Sequence, residues 1–373
     1  MIRWRRATAS MVLLVLTVAC TTSAGQGWRD LGGPFSPTGG PGAVSLAAVV
    51  AGRPWLAVGS QATGSGERPR VWSSPDGREW RSDPVLPTTL DGPSDRLVAV
   101  AQLGGLAVAA GQYASAKEGN FRPTVWWRDP TGAWHDVDAP RELFGGERAG
   151  GVVGVAASHA GFIVVGGWTD ADNQPDVGVW RSVDARAWSR VDGEAALSPS
   201  RGEVVVATGA TGAPGAFVVV GDSLSASTNH GVAWSSRDGL HWSRSAVDGA
   251  AVLHSVTSTR AGVVAVGLDE SGAAATWRSV DGRYWSPAGR LPSGPGTASL
   301  TGSASDAEWE VLVGGIVAGH PRLWTYSPDH WRPLALPSGL TGASGTTKVV
   351  VARAGTTTIV GADRASGAVM WVK

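Results

Sequence analysis

The chain has 373 residues with 31 basic and 31 acidic side chains, so its formal net charge is zero. A balanced charge gives no argument for a polyanionic partner, and we predict no nucleic-acid partner. Hydrophobic residues make up 43% of the chain beside 53 glycines and 22 prolines. This composition is typical of a turn-rich globular protein and not of a disordered one.

The first 19 residues have the pattern of an export signal. Three arginines lie within the first six residues, and residues 11–19 form an apolar run too short to span a bilayer. The run ends in LTVAC, and Cys20 is the only cysteine of the chain, so an internal disulfide is excluded. A lone cysteine in this place resembles the lipobox of bacterial lipoproteins. The alternative is an ordinary Sec signal with a cysteine near its end.

The lipobox resemblance implies acylation of Cys20, which would make the membrane a partner and anchor the protein to the outer side of the cell membrane. Residues 1–19 are then the signal peptide, residues 20–25 a tether and residues 26–373 the folded domain. The only lysines are Lys117, Lys348 and Lys373. This preference for arginine indicates a GC-rich bacterial genome of the actinobacterial kind.

A tryptophan-containing stretch recurs through the chain. The copies are VWSSPDGREW (71–80), VWWRDPTGAW (125–134), VWRSVDARAW (179–188), AWSSRDGLHW (233–242), TWRSVDGRYW (276–285) and LWTYSPDHW (323–331). Successive copies start 43 to 54 residues apart, and a seventh begins at Trp371. Each copy follows two apolar runs, the second of which ends in Gly. Each unit therefore contains four short β-rich segments, and no helical pattern lies beyond the signal.

Seven such units predict an all-β fold, a seven-bladed β-propeller of four-stranded blades. The seventh unit stops before its fourth strand, whereas GQGWRDLGGP near the N-terminus holds a tryptophan, Trp28, that belongs to no other unit. We expect the strand around Trp28 to complete the last blade and close the ring, because an open ring would leave unpaired strand edges. We also expect a monomeric propeller.

Each tryptophan stretch is predicted to be a hairpin. In the first copy, Pro75, Asp76 and Gly77 are the residues that a tight turn favours. Trp72 and Trp80 are equally distant from Asp76, so we expect them to be cross-strand neighbours on one face. Such pairs would fill the space between neighbouring blades.

The heptapeptide SPDGREW, residues 74–80, resembles the Asp-box, or BNR repeat, of sialidase-like propellers. Asp76 has equivalents in Asp184, Asp238 and Asp281. These copies lack one residue that the family has between Asp and Gly, and Ala185 replaces Gly in the third unit. The resemblance implies that the four aspartates shape turns on the face opposite to any active site.

We predict no catalytic residues, although the resemblance includes enzymes. The run VSLAAVV (44–50) lacks the arginine of the family's first-blade motif, and Tyr113, Tyr284 and Tyr326 are the only tyrosines. GDSLS (221–225) matches an esterase motif, but Gly221 is the glycine that ends the second apolar run, and an α/β pattern is missing. A glycan-active hydrolase or lyase of sialidase-like architecture remains the alternative.

The loop WTDADNQPD (168–176) is a candidate calcium site. Asp170, Asp172 and Asp176 could supply oxygen atoms to Ca²⁺, which takes six to eight oxygen ligands. The spacing lacks the Gly and the terminal Glu of an EF loop, and the alternative is a solvated acidic loop. The seven histidines have no zinc-type spacing, and we expect no other cofactor.

Binding is expected on the face formed by the loops between second and third strands, because these loops differ between units while the tryptophans repeat. The candidates are Tyr113, Arg122, Trp168, Asp222, His230, Asp269, Asp363 and Arg364. Aromatic and charged side chains on a rigid scaffold favour a protein or a glycan as ligand. The sequence thus predicts an envelope-anchored, non-catalytic binding module. The hydrolase alternative requires carboxylates and arginines to converge at the mouth of the central channel on this face.

Overall fold

The computed structural model describes residues 27–32, 42–64, 66–114, 120–170, 173–226, 228–294, 296–306, 308–327, 330–341, 345–364 and 367–373. These residues form seven sheets, which confirms the predicted all-β, seven-bladed propeller. Cys20, the predicted signal peptide and the predicted tether lie outside the described residues.

The strands follow one another around the ring in chain order. The N-terminal strand is β1 (Arg29–Asp30). Blade 1 contains β2 (Val44–Val50), β3 (Trp55–Thr63), β4 (Gly66–Ser74) and β5 (Arg81–Ser82). Blade 2 contains β6 (Val85–Leu86), β7 (Arg96–Leu103), β8 (Leu106–Ala114), β9 (Phe121–Arg128) and β10 (Trp134–Asp136). Blade 3 contains β11 (Ala149–Ser158), β12 (Gly161–Thr169), β13 (Pro175–Ser182) and β14 (Ser189–Arg190).

The remaining four blades repeat this pattern. Blade 4 contains β15 (Glu203–Ala213), β16 (Ala216–Ser225), β17 (Asn229–Ser236) and β18 (Ser243–Ala246). Blade 5 contains β19 (Ala250–Thr259), β20 (Gly262–Asp269), β21 (Ala274–Ser279) and β22 (Ser286–Arg290). Blade 6 contains β23 (Ala298–Ser305), β24 (Val311–Val317), β25 (His320–Ser327) and β26 (His330–Pro333). Blade 7 contains β27 (Thr346–Ala354), β28 (Thr357–Arg364), β29 (Val369–Val372) and β1.

The N-terminal strand closes the ring as predicted. Strand β1 pairs antiparallel with β29, with Arg29 opposite Val372 and Asp30 opposite Trp371. The indole N–H of Trp28 donates to the carbonyl oxygen of Ala335 at 3.0 Å. The first and last strands of the domain therefore share one blade.

The two faces of the ring carry different connections. Strand direction alternates within a blade, so the turns from first to second strand and from third to fourth strand lie on one face, which we call the box face. The loops from second to third strand and the connections between blades lie on the other, the loop face. Because β1 runs antiparallel to β29, the chain enters β1 from the box face. In agreement, Arg29 Nη2 donates to the carbonyl oxygen of Arg78, in a box-face turn, at 3.2 Å.

The glycine that ends each second apolar run is explained by the packing of the first two strands. In every blade the first strand shifts its register against the second, as a β-bulge does. The bulge brings the two backbones close together. A Cβ atom on Gly59 would lie 1.9 Å from the carbonyl oxygen of Ser45, and one on Gly221 would lie 2.0 Å from that of Val206.

The expected pairing of Trp72 with Trp80 is wrong. Trp72 lies opposite Ser82, and Trp80 belongs to the turn, where its indole N–H donates to the carbonyl oxygen of Gly77 at 3.0 Å. The turn uses more residues than a two-residue hairpin, so the fourth strand begins only after the second tryptophan. The same indole-to-carbonyl bond recurs in three further blades, made by Trp188, Trp242 and Trp285. The first tryptophan of each stretch is buried and forms the wall between blades.

The four predicted aspartates organise these turns. Asp76 Oδ1 accepts the backbone N–H groups of Arg78 at 2.8 Å and Glu79 at 3.1 Å, and Ser74 Oγ accepts that of Gly77 at 2.9 Å. The N–H bond from Arg78 is the largest cause that lowers the pKa of Asp76. Equivalent bonds are made by Asp184, Asp238 and Asp281.

Three local features were absent from the sequence prediction. Strand β6 adds a fifth, parallel strand to the outer edge of blade 2. The connection before β7 contains a 3-10 turn, Gly92–Ser94, and the connection after β10 contains one helical turn, α1 (Arg141–Phe144). Within the described ranges, no helix is long and apolar enough to cross a membrane.

Candidate functional site

The central channel has few ionisable groups toward the loop face. The first strands line it with small side chains, mostly valine and alanine. In the cavity of about 250 Å³ nearer the loop face, His254 and Lys348 are the only ionisable side chains among the described lining residues. The convergence of carboxylates and arginines that a hydrolase site would need is thus missing from this part of the channel lining. A larger cavity of about 590 Å³ toward the box face includes Asp306 and Arg353.

The candidate residues of the loop face are spread over blades 2, 3, 4, 5 and 7, and the structure does not bring them together. Tyr113 lies opposite Arg122, and Arg122 forms an ion pair with Asp91. His230, on the third strand of blade 4, lies opposite Ser223 on the second strand.

Asp222 and Asp363 make hydrogen bonds to the next blade. Asp222 Oδ1 accepts the backbone N–H of Leu253 at 2.9 Å, and Asp363 Oδ2 accepts the hydroxyl of Ser45 at 2.9 Å. Both aspartates thereby reach a first strand near its bulge. Burial raises the pKa of Asp222 to about 6, and burial also raises that of Asp363.

Asp269 and Arg364 also hold local structure. Asp269 Oδ1 accepts the N–H of Ser271 at 2.9 Å, and its Oδ2 pairs with Arg290 Nε at 2.7 Å. Arg364 Nη2 donates to the carbonyl oxygen of Gly339 at 2.5 Å, and its guanidinium lies over the ring of Trp371. These contacts fix the loops and the edge of blade 7.

Trp168, Asp170 and Asp176 do come together, in a cleft of about 230 Å³ at the loop-face end of blade 3. We call this the blade-3 cleft. The backbone places Trp168 directly opposite Asp176 on neighbouring strands, so both side chains project from the same face of the sheet. The fourth strand supplies Arg190, whose guanidinium carbon lies 3.9 Å from the centre of the Trp168 ring.

The polar groups of the blade-3 cleft are only partly satisfied by one another. Arg190 Nη2 pairs with Asp192 Oδ1 at 2.6 Å, while Arg190 Nη1 is buried and has no hydrogen-bond partner among the described residues. Asp176 accepts the N–H of Val177 at 2.8 Å and the hydroxyl of Ser198 at 3.3 Å. A buried donor without a partner costs free energy, which a bound acceptor would recover.

Asp176 holds its proton more tightly than an ordinary aspartate. Burial raises its pKa to about 6, the negative charge of Asp170 adds to the rise, and Arg190 opposes it. The cleft therefore presents a carboxyl that changes charge near neutral pH, beside an arginine donor and an indole ring.

The calcium prediction stays a prediction. Asp170 Oδ1 accepts the N–H of Gln174 at 2.8 Å, and Asp172 lies outside the described residues. In the part of the chain that the structure describes, His, Cys, Asp and Glu side chains form no group of three that could hold a metal ion.

Sequence reasoning named Arg122 and Arg364 but missed three other arginines toward the loop face, Arg68, Arg70 and Arg190. Arg190 could have been found from its place two residues after Trp188, at the start of a fourth strand. Arg68 and Arg70 alternate along β4, and both donate to the side-chain oxygen of Gln61. Two like charges on one face of a strand were the available signal.

The chain is similar to several solved structures, and the fold it shares with them rests on the first of those below. YCF48 from Cyanidioschyzon merolae superposes with a TM-score of 0.52 at 12% identity, over 92% of this chain and 98% of that chain. A β-propeller domain of the trilobed protease from Pyrococcus furiosus, described as having an open velcro topology, has a TM-score of 0.46 at 11% identity, over 89% and 95%. A mutant of Trypanosoma rangeli sialidase with trans-sialidase activity has a TM-score of 0.46 at 11% identity, over 78% and 56%.

At these identities the similarity extends to the propeller fold alone. No family model matches the chain, and the search of curated proteins finds no relative. The residues of this chain are therefore the only basis for its proposed function.

Proposed function

We propose that this protein is an exported lipoprotein, tethered through Cys20, whose propeller binds a glycan on its loop face without catalysing a reaction. A protein ligand is the other outcome of the test below. The observation that carries the proposal is the blade-3 cleft, where an indole ring, an unpartnered arginine N–H and two aspartates face one small cavity. Sugars need such a mixture, because they present hydroxyl groups at their edges and C–H groups on their faces.

The path of the chain supports the tether. Gly27 begins the described chain on the box face, seven positions after Cys20. Seven extended residues reach at most about 25 Å. Acylation at Cys20 would hold the box face toward the membrane and leave the loop face directed away from it, where a ligand can approach.

The box-face turns support a place among sialidase-like propellers with BNR repeats. Four turns share an aspartate that accepts two consecutive backbone N–H groups and a tryptophan that bonds back to the turn. We propose that these are shortened Asp-boxes and that their role is to shape the turns. The Ca²⁺ site at Asp170, Asp172 and Asp176 is retained as a proposal within the same cleft.

A matched pair of arginine variants tests the binding proposal. Arg190 stacks on Trp168 in the cleft, and Arg186 stacks on Trp127 on the box face, with its guanidinium carbon 4.1 Å from the ring centre. We expect the full-length protein in detergent to bind members of a glycan array. Arg190→Gln should weaken that binding by about tenfold, which is about 1.4 kcal/mol, and Arg186→Gln should leave it unchanged.

The proposal is wrong if the array shows no binding, or if Arg190→Gln and Arg186→Gln behave alike. Capture of an envelope protein that depends on Arg190 would replace the glycan by a protein ligand. The calcium proposal is tested by the melting temperatures of wild type and Asp176→Asn with and without Ca²⁺. Only a calcium site that includes Asp176 gives a rise in melting temperature that the variant loses.

The raised pKa of Asp176 favours a hydrolase as the second candidate. A carboxyl with a pKa of about 6 next to a second carboxylate, Asp170, is an arrangement that general acid catalysis uses. Turnover of the glycan bound on the array, abolished by Asp176→Asn while binding persists, would establish this function. Binding without turnover in wild type excludes it for that glycan.

A further inference from the structure

Arg68 and Arg70 converge on a single neutral oxygen atom on the loop face of blade 1. Gln61 Oε1 accepts Arg68 Nε at 2.9 Å, Arg70 Nε at 3.1 Å and Arg70 Nη2 at 2.7 Å, and Arg68 Nη2 also donates to it. Gln61 is buried at 1% exposure. Arginine has only donors, so the amide of Gln61 must present its oxygen to both guanidiniums.

The backbone register produces this convergence. Gln61 lies opposite Arg68, and Gly59 lies opposite Arg70, on neighbouring strands of blade 1. Residues two apart on a strand face the same side, so Arg68, Arg70 and Gln61 project from one face of the sheet. The register therefore brings both guanidiniums to the side-chain oxygen of Gln61.

The two positive charges have no carboxylate among the described residues. Other half-buried arginines of the ring do have one, as in the pairs of Arg122 with Asp91, Arg128 with Asp83 and Arg244 with Glu203. Glu67 is close in sequence but lies on the opposite face of β4, where it accepts the hydroxyl of Ser60 at 2.8 Å and approaches Arg96 at 3.8 Å.

Burial, and after it the neighbouring charge of Arg68, lower the pKa of Arg70, so a positive charge at Arg70 is disfavoured. An amide oxygen has two lone pairs and faces four N–H groups here, so the donors exceed the acceptor. Guanidinium groups bind oxyanions through paired hydrogen bonds. An anionic group placed between the two arginines would supply both the missing charge and the missing acceptors.

We propose that Arg68, Arg70 and Gln61 form an oxyanion-binding site for the carboxylate, sulfate or phosphate group of a ligand. The site lies on blade 1, two blades from the blade-3 cleft, and does not depend on the binding function proposed there. Gln61 positions the two guanidiniums, and the guanidiniums make the contact with the anion.

The test measures melting of the full-length protein in detergent with increasing sulfate, phosphate, D-glucuronate or uncharged D-glucose, at constant ionic strength. Wild type should show a saturable rise in melting temperature with at least one anion and none with glucose. A response to glucuronate assigns a carboxylate, and a response to sulfate or phosphate alone assigns a tetrahedral anion.

Two double variants of blade 1 remove the same charge from opposite faces. Arg68→Gln with Arg70→Gln should abolish the saturable response. Arg78→Gln with Arg81→Gln should keep it, because both of those arginines are exposed near the box face.

Failure of all three anions to give a saturable response, or equal loss in both double variants, would overturn the proposal. Should the Arg68, Arg70 double variant fail to fold, Arg70→Lys keeps the charge but not the paired donors and should weaken the response by about tenfold. Arg190→Gln should respond as wild type does, so this site and the blade-3 cleft are judged separately.

Discussion

Asp222 and Asp269 both lie toward the loop face, but their surroundings shift their pKa values in opposite directions. Asp222 is desolvated and receives one backbone N–H, from Leu253, so its pKa rises to about 6 from an ordinary value of 3.8. Burial of Asp269 is smaller and raises its pKa less. Hydrogen bonds from Ser271, Ala273 and Arg290 outweigh this effect, so the pKa of Asp269 is lowered overall. The folded state therefore disfavours the charged form of Asp222 and favours the charged form of Asp269.

The two residues should therefore show opposite pH dependence. The folded pKa of Asp222 exceeds its unfolded pKa, so its charge destabilises the fold fully above pH 6 and the penalty disappears as the pH falls toward 3.8. Asp222→Asn keeps an acceptor for Leu253 and should stabilise the protein above pH 6, by on the order of 1 kcal/mol. The gain should vanish near pH 4.

Asp269→Asn is the matched control. The folded pKa of Asp269 lies below its unfolded pKa, so its charge stabilises the fold above the unfolded value, and the benefit is lost as the pH falls through the folded pKa. This variant should be less stable than wild type at neutral pH and equal to it in acid. Urea unfolding of Asp222→Asn from pH 4 to 8 and of Asp269→Asn from pH 2 to 8 measures the effect. Differences of the same sign would contradict the assignment.

Ring closure depends on one very short element. Strand β1 has two residues, and its backbone pairing with β29 is supplemented by Trp28, which packs against the core between blades 6 and 7 and donates to Ala335. A two-residue strand contributes few hydrogen bonds, so we expect the packed side chains of Trp28 and Leu31 to supply much of the closure energy.

Replacing Trp28 should open the last blade selectively. Trp28→Ala is expected to cost about 2–3 kcal/mol of unfolding free energy because it removes a large packed aromatic side chain. Amide exchange should quicken in β29 while β17, on the far side of the ring, stays protected. Uniform quickening across both strands would show that the last blade does not open separately from the rest of the ring. Trp28→Phe, which keeps most of the packing but loses the indole N–H, should give an intermediate result.

The period of the repeat made the blades and the closing strand predictable, because the tryptophan spacing is a property of chain length per blade. Pairings that depend on exact register were not predictable. Trp80 was misplaced because the number of residues in its turn decides whether it faces Trp72. The blade-3 cleft was predicted only in part. Trp168 and Asp176 are close in sequence and were named, whereas Arg190 reaches the cleft through the pairing of a two-residue strand, which the sequence does not show. Asp222 reaches Leu253 only because of a bulge in the neighbouring blade.

At the scale of the whole molecule, the direction of β1 decides which face a lipid anchor would hold against a membrane. The chain enters β1 from the box face, and the proposed acylated Cys20 lies seven positions before Gly27. A reach of at most about 25 Å keeps the place where the chain enters the box face close to the anchor. The proposed blade-3 cleft and the oxyanion site are both on the loop face, so the same geometry would keep both directed away from the bilayer.

Two matched cysteine variants measure this orientation. Glu79 is exposed in a box-face turn and Glu270 is exposed in a loop-face turn, and Cys20 is the only native cysteine, so Glu79→Cys and Glu270→Cys each give one free thiol in an acylated protein. With a fluorophore on that thiol and nitroxide-labelled lipids in the vesicle, the label at position 79 should be quenched more strongly than the label at position 270. Equal quenching, or stronger quenching at position 270, would contradict the orientation. Adding Cys20→Ser to Glu79→Cys tests the anchor itself. A lipoprotein should lose the quenching at position 79 when Cys20 is replaced. A Sec-exported protein without an anchor should show equally little quenching with Cys20 and with Ser at that position.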